Sequence, residues 1–164
     1  MRFLFLDAEL ERSAASLTVV KHVAADEPYL EDHFPTFPVM PGVLMLEAMA
    51  QAARALVSGS ASDPARLALR EVRAVRYGAF VKPGDTLRIT VELLDSPASQ
   101  GAATGLWRFK GRAVAVRPSQ DVDDVACAGR FALGPVRTTL HEPLTIVSDA
   151  GAALAPKGPA SAAG

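Results

Sequence analysis

The chain has 164 residues, 49% apolar and 21% charged, with a formal net charge of −1. That length suits one domain around one core. The near-zero charge gives no bulk electrostatic case for nucleic acid or a membrane surface as partner. The single cysteine, Cys127, excludes an internal disulfide. It lies in the alternating stretch VACAGRFAL and reads as a small sheet or core residue. The charge is unevenly spread: residues 1–65 carry four Lys/Arg against nine Asp/Glu, and residues 66–112 carry nine against four. The middle of the chain is therefore either a solvated strand face or a basic surface turned towards an acidic partner.

The opening MRFLFLDAELE holds an apolar run cut by Asp7. It is too short for a signal h-region, and no longer run follows that could span a bilayer, so the expected location is the cytoplasm. Ser16–Ala24 (SLTVVKHVA) is β-branched and partly alternating, which predicts a strand. Pro28, Pro35 and Pro38, with a further proline at 41, make residues 25–40 a loop with little regular structure. Pro41 suits the first turn of a helix, because its missing N–H has no intrahelical partner there. From Gly42 to about Ser58, Val43, Leu46, Ala50, Ala53 and Val57 recur at helical spacing, and Gly59 with Ser60 ends the run. Val39, Leu44, Met45 and Met49 make its start apolar nearly all round, predicting a buried helix. Its many alanines call for a closely packed neighbour.

Beyond the helix the period changes. Arg66–Tyr77, Thr86–Leu94, Gly105–Val116 and Val125–Leu133 read as strands, with a turn at Pro83-Gly84-Asp85 and a longer hairpin loop at 96–103. One long helix and five or six hairpin-connected strands predict an α+β domain, an antiparallel sheet wrapped against a helix, within residues 1–134. Residues 135–164 form a C-terminal extension. Its last fifteen residues, nearly all Ala, Gly, Pro and Ser, are expected to be disordered.

The chemistry-bearing candidates sit in HFPTFPVMPGVLMLEAMAQAA, residues 33–53. Glu47 is its only formally charged side chain past the histidine. A carboxylate on a mostly buried helix is either a general acid, its pKa raised by desolvation, or part of a polar stripe with Gln51 and Arg54. Gln51, one turn on, shares its face and can orient it. His33 lies in the proline-stiffened loop beside Glu31 and Asp32, as a positioned base or as a loop histidine without a task. His22 and His141 offer no comparable chemistry. Gly42 stands where helix N–H groups are unpaired and the dipole is positive, so it can supply a donor to a carbonyl oxygen. Base, acid and oxyanion donor together suit proton abstraction next to a carbonyl followed by loss of water. No metal-ligand spacing and no glycine-rich phosphate loop is present, so no metal or cofactor is expected.

The segment HFPTFPVMPGVLMLEAMAQ resembles the signature of the β-hydroxyacyl-acyl carrier protein dehydratases of fatty acid synthesis. RFLFLD, VVKHVAADEPYLEDHFP, FVKPGDTLRITVELL and LWRFKGRAVA resemble segments of that family in the same order, over roughly residues 2–134. The resemblance implies a hot-dog fold, with a long central helix wrapped by an antiparallel sheet. By position, His33 matches the histidine that handles the C2 proton, and Glu47 the acid that assists departure of the C3 hydroxyl. Gly42 matches the glycine whose N–H binds the thioester carbonyl, and Gln51 a residue supporting the acid. Phe37, Val39, Met40 and Val43 would line an acyl tunnel or simply pack in the core. The resemblance further implies sites shared between the two subunits of a homodimer, dimers that can assemble into hexamers, and a substrate carried on the phosphopantetheine arm of acyl carrier protein. Glutamate at 47, in place of the aspartate of a sister group that also isomerises the double bond, favours simple dehydration. The chain departs from the family at Asp32, where glycine is usual, and at Gly78-Ala79-Phe80, where a basic pair and a proline are common. A hot-dog thioesterase, or a non-catalytic acyl-carrier binding module, are the alternative readings; the HFP…PVMPG…E motif argues against the first, and intact His33 and Glu47 argue against the second.

Overall fold

The computed structural model describes residues 4–61, 66–98, 105–117 and 123–136. The C-terminal extension, apart from its first two residues, and the end expected to be disordered lie outside them. In chain order the elements are β1 (Ala8–Arg12), β2 (Ser16–His22), a 3₁₀ turn (Pro28–Leu30), α1 (Gly42–Leu56), β3 (Leu67–Tyr77), β4 (Thr86–Asp95), β5 (Trp107–Val116) and β6 (Asp124–Pro135). All six strands join one sheet in the order β1-β2-β4-β5-β6-β3, and each described pairing is antiparallel.

The sheet bends around α1, which touches β2, β3, β4, β5 and β6. The helix buries Met45, Ala48, Met49, Ala52, Ala53 and Leu56, a stripe at three- and four-residue spacing. Its alanines let the strands approach closely. A Cβ at Gly111 of β5 would lie 2.5 Å from Met49 Sδ, so only glycine admits the methionine there. Behind it Phe109 and Phe131 stack at 5.5 Å between centroids, and Leu17, Leu87, Ile89 and Val91 complete the core. Cys127 is buried in β6.

Three details differ from the sequence reading. β1 was not expected: its residues AELER are exposed throughout, so nothing in their pattern marks a strand, and pairing with β2 makes it one. The helix ends at Leu56 rather than near Ser58, because Val57 leaves the helical path while its N–H still reaches the Ala53 carbonyl. Pro41 holds the cap position, extended at ψ 135°, and Gly42 opens the helix.

Candidate active site

The loop before α1 carries His33. Its turn is tight: the Phe37 N–H donates to the Phe34 carbonyl at 2.7 Å, and Phe34 takes φ +62°, a conformation costly for a non-glycine residue. That turn sets the imidazole so that Nδ1 lies 2.8 Å from the Val39 carbonyl oxygen. A carbonyl only accepts, so Nδ1 carries the proton in the neutral ring, and Nε2 is left with its lone pair. Val39 is itself fixed by burial, and the next residue, Met40, gives its N–H to the Val81 carbonyl at 2.8 Å.

His33 opens onto a groove of about 350 Å³ whose walls are mostly apolar. Val39, Met40 and Val43 line it together with Gly42, the first residue of α1. The opposite wall is Tyr77, Gly78, Ala79 and Phe80, the end of β3 and the turn beyond it. Gly42 is needed for this closeness: a Cβ on it would stand 2.9 Å from Tyr77 Cε1. The Leu44 N–H donates to the Pro41 carbonyl at 3.0 Å, while the Gly42 and Val43 N–H groups have no intrahelical acceptor, so this end of the groove is electropositive. Burial raises the Tyr77 phenol above its ordinary pKa. Phe37 is not among the lining residues. It packs edge-on against Phe80 at 5.5 Å, beneath the Lys82 ammonium at 4.6 Å.

Glu47 lies elsewhere on the same chain, on the less buried side of α1 and outside the His33 groove. Its side chain is 37% exposed in the single chain. The polar stripe does exist, and it acts as a holder. Gln51 Nε2 and Arg54 Nη1 both donate to Glu47 Oε1, at 3.2 and 2.9 Å. Gln51 is oriented in turn by the Phe5 N–H, which donates to its Oε1 at 2.9 Å. Arg54 also donates Nε–H to the Leu67 carbonyl at 2.8 Å. Both contacts fall on Oε1, and no donor to Oε2 is found among the described residues.

The structure thus brings His33, Gly42, Val39, Met40 and Val43 to one groove, and joins Glu47 to Gln51 on a separate patch. Sequence reasoning missed Tyr77 as a wall, and placed Arg54 only in a polar stripe rather than as the ion-pair partner of Glu47. The i+7 spacing from Glu47 was the available signal for Arg54. Among the described residues no cluster of His, Cys, Asp and Glu could hold a metal, and no helix is long and apolar enough to cross a membrane.

Residues 2–116 match the FabA-like domain. The chain belongs to that family. It is 39% identical over 115 residues to the 3-hydroxyacyl-[acyl-carrier-protein] dehydratase FabZ of Solibacter usitatus, covering 69% of this chain and 71% of that protein. To the enzyme of the same name from Albidiferax ferrireducens it is 36% identical over 133 residues, 78% of this chain and 85% of that one. It also matches a bifunctional LpxC/FabZ enzyme of Bacteroides thetaiotaomicron at 40% identity, spanning 22% of that longer protein. Among solved structures, a chain of the dehydratase heterocomplex ApeI:P from Xenorhabdus doucetiae superposes with a TM-score of 0.56 at 17% identity, covering 82% of this chain and 99% of that one. The smu.793 protein of Streptococcus mutans gives 0.57 at 12% identity over 83% and 92%. At such identities these two show the fold alone, the hot-dog arrangement of sheet and helix.

Proposed function

We propose that this FabA-like protein dehydrates (3R)-3-hydroxyacyl thioesters, borne on an acyl carrier protein, to trans-2-enoyl thioesters. The observation that carries the reading is the His33–Val39 hydrogen bond, which leaves a basic Nε2 at the head of an apolar groove beside the free N–H groups of Gly42 and its neighbour. The thioester carbonyl accepts the Gly42 N–H, which acidifies the C2 hydrogen. Nε2 takes that proton, the C2–H pair forms the C2=C3 bond, and the C3–O bond breaks. Glu47, protonated on Oε2, gives its proton to the departing hydroxyl, which leaves as water.

Glu47 is outside the groove of its own chain, so in this reading the acid comes from a second copy. Its exposed position, the 68% exposure of Val43 on the same helix, and the unpaired outer edge of β3 among the described strands support a homodimer with two shared sites. Phe37, outside the groove within one chain, would border the acyl path only from the rim.

The test is a dehydration assay with 3-hydroxybutyryl- and 3-hydroxydecanoyl-acyl carrier protein, following the enoyl chromophore, with His33→Ala and Glu47→Gln beside the wild type. Turnover lost in both variants supports the reading. Release of free thiol without an enoyl product points to a thioesterase, and carrier binding without any reaction to a binding module.

A further inference from the structure

The outward face of the sheet holds a second feature. Side chains alternate between faces along a strand, and the register aligns two rows across β3, β6 and β5. One is Arg76–Ala128–Arg112, and the next is Arg73–Arg130–Lys110. Several of the cations on this face are neutralised. Glu71 Oε2 accepts from Arg108 at 3.0 Å and from Arg73 at 3.1 Å, Lys110 pairs with Glu92 at 3.3 Å, and Arg88 pairs with Asp123. Arg76, Arg112 and Arg130 are exposed and have no carboxylate partner among the described residues. They ring a shallow groove of about 400 Å³ with Ala128 between them. At roughly 4.8 Å per strand, Arg76 and Arg112 stand about 10 Å apart, a spread that suits several carboxylates on a protein surface better than one small anion.

The place of this cluster matters. Arg76 is followed directly by Tyr77, a wall of the His33 groove. The nearer rim of that groove is a poor receiver for an acidic protein: Glu31 and Asp32, next to His33, are exposed, and Gly78-Ala79-Phe80 carry no charge. That rim offers one exposed cation, Lys82 over Phe37, whereas three free arginines cluster on the sheet face.

Building on the proposed dehydratase reading, we propose that Arg76, Arg112 and Arg130 form the docking surface for the acidic carrier protein, which sits on the outer sheet face and feeds its acyl arm past Tyr77 into the groove. None of the three touches the groove itself, so their charge acts on encounter and affinity rather than on the chemical step. Arg112→Glu with Arg130→Glu should raise KM for 3-hydroxybutyryl-acyl carrier protein about tenfold or more while leaving kcat within about twofold. The same variant should turn over the carrier-free 3-hydroxybutyryl N-acetylcysteamine thioester as the wild type does. An unchanged KM for the carrier substrate overturns the proposal, and so does an equal loss on both substrates. Titration of the carrier protein itself against wild type and variant reads docking without turnover. Affinity that weakens with charge reversal and with added salt supports the surface even if the dehydration assay fails; equal affinities overturn it.

Discussion

Arg54 and Glu47 are joined on the less buried side of α1 by a 2.9 Å ion pair, and the same guanidinium holds the Leu67 carbonyl at 2.8 Å. One side chain therefore ties the proposed acid to its helix and to the first residue of β3. Arg54→Gln removes the charged contact. We expect kcat to fall about tenfold with KM little changed, since the group positions the acid rather than binding substrate. Loss of this partly exposed pair should cost about 1 kcal/mol, lowering the melting temperature by about 2–4 °C. Arg54→Lys, which can pair but cannot fork to two acceptors, should restore turnover only in part. Steady-state kinetics and thermal unfolding of the two variants check this.

Gly42 and Gly78 differ in what a methyl group would meet. At Gly42 it would press on Tyr77 Cε1 at 2.9 Å, and that ring, half-exposed, can swing away. Gly42→Ala should therefore fold but narrow the groove, lowering kcat/KM about tenfold, with Tyr77→Ala in the same chain recovering part of it. At Gly78 a methyl group would overlap the backbone carbonyl oxygen of Val125, which is held by the Ala79 N–H at 2.9 Å. Backbone in a paired strand cannot yield, so Gly78→Ala should cost more than about 2 kcal/mol, read from chemical unfolding.

Cys127 supplies a pH dependence. Burial pushes its thiol up to about 11 from an ordinary value of 9.0. Above pH 9 the unfolded chain loses this proton while the folded chain keeps it, so stability present below pH 9 declines as the pH rises towards 11. Tyr77 and Tyr29, also held neutral by burial, add the same sign at higher pH. Urea unfolding from pH 8 to 10.5 should show the decline, and Cys127→Ala should flatten its lower part. The native thiol should resist an aromatic disulfide reagent until the protein unfolds.

Much of this fold was legible because hydrophobic period reports burial. The alternation of LRITVELL and the helical spacing from Val43 to Val57 each follow one side of a core that the structure places where expected. β1 was illegible because its partner strand, not its own exposed residues, makes it a strand. The site was legible only in pieces. The motif named His33, Gly42 and Glu47, but spacing along a chain cannot say that a tight turn at Phe34 fixes the imidazole tautomer. Nor can it say that Glu47 is 37% exposed in the single chain. Its expected burial rested on the apolar residues near the helix start, of which Met45 and Met49 turn to the core while Glu47 does not.

The central claim is that one catalytic site takes His33 from one copy and Glu47 from another. The most direct test mixes His33→Ala and Glu47→Gln chains, each inactive alone, by co-expression or by unfolding and refolding together. In random dimers half the molecules are mixed, and each mixed dimer has one site with both groups intact, so about a quarter of wild-type activity should return. No recovery from a mixture shown to contain mixed dimers would contradict the shared site.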